Sequence, residues 1–187
     1  MTFEERIAAF NETPIPSIAG SHIVIWLDEN GFFTAPASTK YHGAYEGGLF
    51  DHSLAVTNTL VDLTVKNQLK WGRPESPYII GMLHDICKMD QYRHPDSPIL
   101  ADGHILPDTT KWEYNPGTLL KGHGDKSVIL ASTLLILTEE EMLCIRYHMG
   151  AFTEKDEWKC YTDAIYKYPN VLWTHQADMI AAHILMT

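Results

Sequence analysis

The sequence predicts a single domain built almost entirely from α-helices, and three observations support this fold class. The chain has 187 residues, of which 45% are hydrophobic, so it is long enough to bury one core. Apolar residues recur at helical spacing, and helix-starting signals such as Thr138-Glu139-Glu140-Glu141 precede several of these stretches. The sequence contains no internal repeat and no low-complexity tract.

The first third of the chain is predicted to hold a helical extension and a long loop. Residues 2–11 place Phe3, Ile7 and Phe10 on one side of a short helix. Residues 18–30 are ambiguous, because their β-branched side chains suit a strand as well as a helix. Residues 31–48 are rich in Gly, Pro, Ser and Thr and predict an irregular loop.

The rest of the chain predicts six helices and a second long irregular loop. That loop covers residues 92–122, where several prolines and aspartates interrupt any periodicity, and it could form a flap over a site. Pro77 is compatible with the first turn of a helix, and Pro169 separates the last two helices. The helices are predicted over residues 50–66, 76–88, 125–137, 139–150, 153–168 and 171–186.

The charge balance excludes some classes of partner. Fourteen Lys and Arg residues against 24 Asp and Glu residues give a formal net charge of -10. Such a chain is not expected to bind long nucleic acid through a broad basic surface, and anionic membranes would repel it. The N-terminus has no basic, apolar export signal, and no apolar stretch is long enough to span a membrane. We therefore expect a cytoplasmic protein; nothing in the sequence predicts its oligomeric state.

The histidines carry the strongest functional signal. The chain has ten of them, and imidazole is the commonest metal ligand in proteins. His84 and Asp85 form the one His-Asp pair, a dipeptide too short to be informative by itself. Three further histidines and one aspartate, each on or beside a different predicted helix, complete an ordered set with this pair: His52, His123, His148 and Asp178.

This order, H…HD…H…H…D, resembles the HD-domain superfamily of metal-dependent enzymes over about residues 40–185. The segment HDICK is similar to the HDIGK motif of that family, with Cys87 in place of the usual glycine. The segment KYHGAYEGGLFDHSLAV resembles the entry helix of HD proteins, including the HD domain of certain 3′–5′ exoribonucleases. FFTAPASTKYHGAYEGGL, GHGDKS and YHMGAF resemble small stand-alone HD proteins of bacteria and phages. The resemblance implies one HD-domain helical bundle, preceded by an extension over residues 1–39.

The resemblance also implies a site for two divalent ions. Asp85 would bridge the two ions, which could then stabilise a phosphoryl displacement. Mixed nitrogen and oxygen ligands suit Mn, Fe, Co, Ni or Zn better than Mg or Ca. The ligands implied for the first ion are His52, His84, Asp85 and Asp178, and those that complete the second are His123 and His148.

Other residues are candidates for contacts with a substrate. Lys88 follows His84 by one helical turn and could neutralise a phosphate oxygen, or could be a solvated lysine at a helix end. His175 lies three residues before Asp178 and is expected to support or pack against the site rather than bind metal. The remaining substrate-binding candidates are His42, Glu46, Lys126 and Arg146.

These observations together predict a metal-dependent phosphohydrolase, either a phosphomonoesterase or a phosphodiesterase. Its expected substrate is a nucleotide or another small phosphorylated molecule. Three alternatives stay open at this point. The same ligand pattern occurs in HD-type di-iron oxygenases, an exonuclease-like phosphodiesterase is a minor possibility, and a non-catalytic module could bind a nucleotide as a sensor.

Overall fold

A computed structural model of the chain describes residues 1–99 and 105–187. Most of the described residues are helical, which confirms the predicted all-α class. The α-helices of this part of the chain are α1 Phe3–Asn11, α2 Ile15–Ala19, α3 His22–Glu29, α4 Gly48–Asn67, α5 Ser76–Leu83, α6 His123–Leu134, α7 Glu139–Arg146, α8 Trp158–Lys167 and α9 Asn170–Ile180. None of these helices has the length and apolar character needed to cross a bilayer.

The N-terminal extension packs into the same core as α4. Phe10, Phe32, Phe33 and Phe50 are all buried, and their rings contact one another, mostly edge to face, with centroids 5.4–6.3 Å apart. The ambiguous segment forms the end of α2 and all of α3, because its apolar residues Ile23 and Leu27 reach this core. Tertiary packing thus overrides its β-branched composition.

The crossing of α4 and α5 is central to the fold, and Gly81 lets the two helices approach closely. A Cβ atom built on Gly81 would lie 2.5 Å from the Cα atom of Thr57 on α4. His52 lies in the second turn of α4, and His84 immediately follows α5. The close crossing therefore sets the distance between these two histidines.

We expect Gly81→Ala to lower the free energy of unfolding by about 1–3 kcal/mol or more, because the added methyl group collides with backbone that cannot move aside. Chemical denaturation measures the difference. Gly72→Ala is the matched control, since a Cβ atom there would come no closer than 3.4 Å to any neighbour, the Glu140 carboxylate. Equal stabilities for the two variants would contradict this account of the crossing.

The helix predicted over residues 76–88 is interrupted, which corrects the sequence analysis. Helix α5 ends at Leu83, Asp85 has φ -109° and ψ 13°, and a 3₁₀ turn follows over Ile86–Asp90. Lys88 therefore does not share an α-helical face with His84. A 3₁₀ turn brings residues three apart together instead, and Lys88 contacts Asp85.

The second predicted loop is less irregular than expected, because short strands form within it. Strands β1 Tyr92–Arg93 and β4 Glu113–Tyr114 are antiparallel, as are β2 Asp96–Ile99 and β3 Ile105–Pro107. Strands of two to four residues are too short to leave an alternating pattern in the sequence. Residues 100–104 of the predicted flap lie outside the described part of the chain. The first loop, residues 31–47, consists of turns and bends as predicted.

The last three helices lie largely within their predicted ranges but are shorter, and α7 ends at Arg146, before its predicted end at residue 150. The capping box at Thr138 is confirmed, because its side chain accepts a hydrogen bond from the Glu141 backbone N–H and the Glu141 carboxylate accepts one from Thr138. Helix α8 begins later than predicted, at Trp158, after a 3₁₀ turn over Lys155–Glu157. Helix α9 ends at Ile180 and continues as a π-helical turn over Ala181–Leu185.

Candidate metal centre

The structure brings the six predicted metal ligands together. They lie on elements that are distant in sequence, and most of them stand at helix ends, where a side chain can reach past the helix into the interior. The contributing positions are His52 on α4, His84 and Asp85 directly after α5, His123 at the start of α6, His148 after α7 and Asp178 on α9.

Asp85 lies between two pairs of histidines, and each of its oxygens faces one pair. Its Oδ2 atom is 3.6 Å from His52 Nε2 and 3.5 Å from His84 Nε2. Its Oδ1 atom is 2.7 Å from His123 Nε2 and 3.4 Å from His148 Nε2. The carboxylate therefore belongs to two groups of potential ligands at once, each of which could hold a metal ion.

Asp178 supplements the first of these groups. Its Oδ1 atom lies 3.1 Å from His52 Nε2 and 4.0 Å from His84 Nε2. This side chain is only 14% exposed. Two nitrogens and two carboxylate oxygens thus face one another on this side of the centre.

The hydrogen bonds of the histidines prepare them to bind a cation. In three of the four rings Nδ1 contacts a backbone oxygen, at 2.8 Å for His52, 2.8 Å for His84 and 2.6 Å for His148. A carbonyl oxygen only accepts hydrogen bonds, so Nδ1 carries the proton and a neutral ring presents its lone pair at Nε2. Proteins orient metal-binding histidines in this way.

Four buried polar atoms of the centre have no hydrogen-bond partner in the described part of the chain. Three Nε2 atoms, those of His52, His84 and His148, make no hydrogen bond, and neither does Asp85 Oδ1, whose contact with His123 lacks hydrogen-bond geometry. An unsatisfied buried polar atom is costly, and nitrogen lone pairs that face carboxylate oxygens repel them. A divalent cation in each group would satisfy these atoms, so the residues present fit a metal ion.

His123 differs from the other three histidines. Its side chain is 26% exposed, and its Nδ1 atom lies 3.6 Å from the sulfur of Cys87 instead of a carbonyl oxygen. Burial raises the pKa of the Cys87 thiol to about 11, with a contribution from Asp85, so the thiol remains protonated at neutral pH. The tautomer of His123 is therefore held less firmly than those of the other rings.

Lys88 is a buried cation that pairs with the shared carboxylate. Its Nζ atom lies 2.6 Å from Asp85 Oδ2. Burial opposes the charged form of Lys88, but Asp85 outweighs this effect and raises the pKa of the ammonium. Burial likewise opposes the charged form of Asp85, whereas Lys88 and the histidines lower the pKa of its carboxyl. Both groups are charged at neutral pH.

The centre opens into a cavity of about 370 Å³. His42 is one of its lining residues, and the centroid of its ring lies 4.9 Å from that of His52. Burial lowers the pKa of His42 to about 4, and the positive charge of Lys88 adds to the shift. His42 is therefore neutral at physiological pH and can donate or accept a hydrogen bond beside the centre.

Three predicted substrate-binding residues lie away from this cavity. Glu46 is exposed and lines a separate depression beside Trp112. Arg146 forms ion pairs with Asp125 and Glu157 on the surface. Lys126 is buried, forms an ion pair with Asp90 and lines a neighbouring cavity. The sequence spacing of these residues from the histidines could not show where their side chains lie, because each of the three side chains has an acidic or aromatic neighbour elsewhere in the fold.

The structure adds residues that sequence reasoning did not place. Tyr92 and Tyr114 come together through the pairing of β1 with β4 and line the cavity, with ring centroids 5.3 Å apart. His183 also lines it, although its position in the sequence carries no readable signal. His175 lines it as well, and its Nδ1 atom contacts the His148 backbone oxygen at 2.8 Å. Its spacing from Asp178 is the signal that indicated this supporting position.

The centre thus combines four histidines, two aspartates and one lysine, and its buried groups can bind a metal ion. A scan of protein-family models and searches of curated proteins and of solved structures found no match to this chain.

Proposed function

We propose that this protein is a metal-dependent phosphohydrolase that acts on a nucleotide or another small phosphorylated molecule. The observation that carries the proposal is the position of Asp85, whose two oxygens face two different pairs of histidine nitrogens. A carboxylate shared in this way is suited to two ions, and paired ions are typical of phosphoryl-transfer centres. The likeness of the ligand order to HD-domain hydrolases supports the same proposal.

The residues of the centre would divide into two groups around Asp85. His52, His84 and Asp178 would hold one ion together with Asp85. On the other side, His123 and His148 would hold the second ion together with Asp85. Bound divalent ions would supply positive charge to a phosphoryl group and make a water molecule more acidic. Mn, Fe, Co, Ni or Zn suit this donor set.

The chain's own residues would bind and orient the substrate. The cavity of about 370 Å³ is within the range that accommodates small molecules. Lys88 contributes a positive charge at its inner end, and neutral His42 offers a hydrogen bond at its wall. The acidic surface of the protein, with its net charge of -10, disfavours long polyanions but not a small phosphate ester.

Anaerobic hydrolysis tests the proposal. We expect the purified protein with added Mn(II) to release phosphate from at least one member of a panel of nucleotides and sugar phosphates. His84→Ala is expected to abolish this activity, and the exposed His22→Ala serves as the matched control. Activity that requires Fe(II) and O₂ and gives an oxidised product would replace the proposal with an HD-type oxygenase. Binding without turnover would indicate a sensor.

Lys88 gives a prediction that separates metal binding from turnover. Its ammonium competes with any cation for Asp85 Oδ2, 2.6 Å away, so Lys88→Met is expected to bind Mn(II) equally well or several-fold more tightly. Turnover is expected to fall by about 10²-fold or more, because a phosphate oxygen loses a positive partner. Calorimetric metal titration and steady-state kinetics measure the two effects. Weaker metal binding in Lys88→Met would contradict this account, and the exposed Lys66→Met is the control.

A further inference from the structure

A second cavity lies directly beside the metal centre. Its volume is about 420 Å³, and Gln91, Tyr114 and His123 line both cavities. His123 is also a member of the second ligand group around Asp85. A molecule that places one group at the metal centre can therefore extend past His123 into the second cavity.

The wall of this second cavity is held in place by hydrogen bonds to the 3₁₀ turn that follows Asp85. The Asn115 side chain and the Thr118 hydroxyl both donate to the Asp90 backbone oxygen, at 2.9 Å and 2.8 Å. The Asn115 backbone N–H donates to the Gln91 backbone oxygen at 2.9 Å. These bonds hold the start of the segment that leads to Lys121 and Gly122 against the 3₁₀ turn.

Two lysines give the cavity a positive character. Lys126 is only 4% exposed, and its ammonium pairs with one carboxylate, that of Asp90, which is itself 56% exposed. An ammonium has three protons to donate, so Lys126 retains donors that no side chain in residues 1–96 or 108–187 satisfies. Lys121 is exposed and forms no ion pair within those residues.

The acidic groups nearby cancel only part of this charge. Asp90 offsets the charge of Lys126, and Asp125 is paired with Arg146, so the charge of Lys121 is the one left without a paired carboxylate in the described part of the chain. No carboxylate from the described chain lines the cavity. In a protein with a net charge of -10, a cavity lined by Lys121 and by the remaining ammonium donors of Lys126, with no carboxylate among its described lining residues, favours an anionic group.

We propose that the second cavity binds a second phosphate group of the substrate, one that is not hydrolysed. The inference rests on the proposed function, because the metal centre would hold the phosphate that is cleaved. Lys121 and Lys126 would contact the second phosphate, and the natural substrate would be a molecule with two separated phosphates. This assigns to Lys126 a role at a distance from the metal ions.

Two substrates that differ by one phosphate test the inference. We expect the KM of the Mn(II)-loaded protein for adenosine 3′,5′-bisphosphate to be about ten-fold lower than that for adenosine 5′-monophosphate. In the double variant Lys121→Met/Lys126→Met this difference should disappear, whereas Lys66→Met on the surface of α4 should retain it. If the wild type and the double variant show the same ratio of KM values for the two substrates, the inference is overturned, even if both proteins hydrolyse the substrates.

A binding experiment keeps the inference independent of catalysis. Inorganic phosphate is titrated into metal-free protein and followed by calorimetry. The second cavity is supported as a phosphate site if the wild type and Lys66→Met bind phosphate and the double variant binds it at least about ten-fold more weakly. This outcome does not depend on whether any ester is hydrolysed. If no ester is hydrolysed, the proposed function fails, and equal or absent phosphate binding in all three proteins would overturn this inference as well.

Discussion

Asp85→Asn is expected to abolish metal binding in both ligand groups at once. Among the described residues, Asp85 alone has oxygens that face both pairs of histidines, and an amide offers a single, uncharged oxygen. Groups that merely hydrogen-bond to metal ligands contribute about 10–100-fold in affinity, so the loss of a shared ligand should exceed that range. Phosphate-ester hydrolysis should fall by about 10³-fold or more.

The control for this prediction is a variant that affects one group only. His148 faces Asp85 Oδ1 but not the group of His52 and His84, so His148→Ala is expected to lose one of the two ions. Metal analysis of anaerobically purified protein, together with calorimetric titration, gives the stoichiometries. Two ions retained in Asp85→Asn, or both ions lost in His148→Ala, would show that Asp85 does not connect two sites.

Glu141→Ala is expected to cause the largest loss of stability, about 3–5 kcal/mol. The Glu141 side chain is fully buried, and Arg73 donates to both of its oxygens at 2.8 Å. Ser76 at the start of α5 and the Thr138 backbone N–H also donate to it at 2.8 Å. Its removal leaves several buried donors without an acceptor and disconnects α7 from α5.

A neighbouring glutamate on the same helix supplies the control. Glu139 pairs with Lys167, and both side chains are more than half exposed, so Glu139→Ala is expected to cost about 0–1 kcal/mol. Urea denaturation compares the free energies of unfolding of the two variants. A similar loss of stability in both variants would mean that the buried hydrogen bonds of the Glu141 carboxylate contribute nothing to the free energy of unfolding.

The pH dependence of stability gives an independent check on Glu141. Burial alone would raise the pKa of its carboxyl, but hydrogen bonds from Arg73, Thr138 and Ser76 lower it below its usual 4.5. A folded-state pKa below the unfolded value stabilises the protein above that unfolded value, and the contribution is lost as the pH falls through the folded pKa. As the pH falls below about 4.5, the free energy of unfolding of the wild type should therefore decrease by an additional amount that is absent in Glu141→Ala.

Several features of the site could be predicted from the sequence because they depend on order and local pattern. The set of His52, His84, Asp85, His123, His148 and Asp178 was identifiable because its order resembles the ligand pattern of HD-domain proteins, and the structure places these six together. The capping box at Thr138 was visible as a local motif for the same reason. Helix periodicity reports which residues face the core, and here it gave the correct fold class.

Contacts between distant elements and breaks within helices could not be predicted in this way. Because the helix is interrupted at Asp85, Lys88 contacts the Asp85 carboxylate, three residues before it, and does not share a helical face with His84, four residues before it. Ion pairs with Asp90, Asp125 and Glu157 hold Lys126 and Arg146 away from the metal centre. Such partners lie 11 to 36 residues away in the chain, beyond the reach of any local pattern.

The sequence by itself therefore determined the all-α class and the residue types from which a metal centre could be built. Only the tertiary structure decided that each oxygen of Asp85 faces a different pair of histidines, and that a lysine-lined cavity adjoins the centre at His123. The physical reason is that a helix pattern specifies one face of one element. The distances between atoms on different elements depend on how closely the helices cross, as Gly81 permits for α4 and α5.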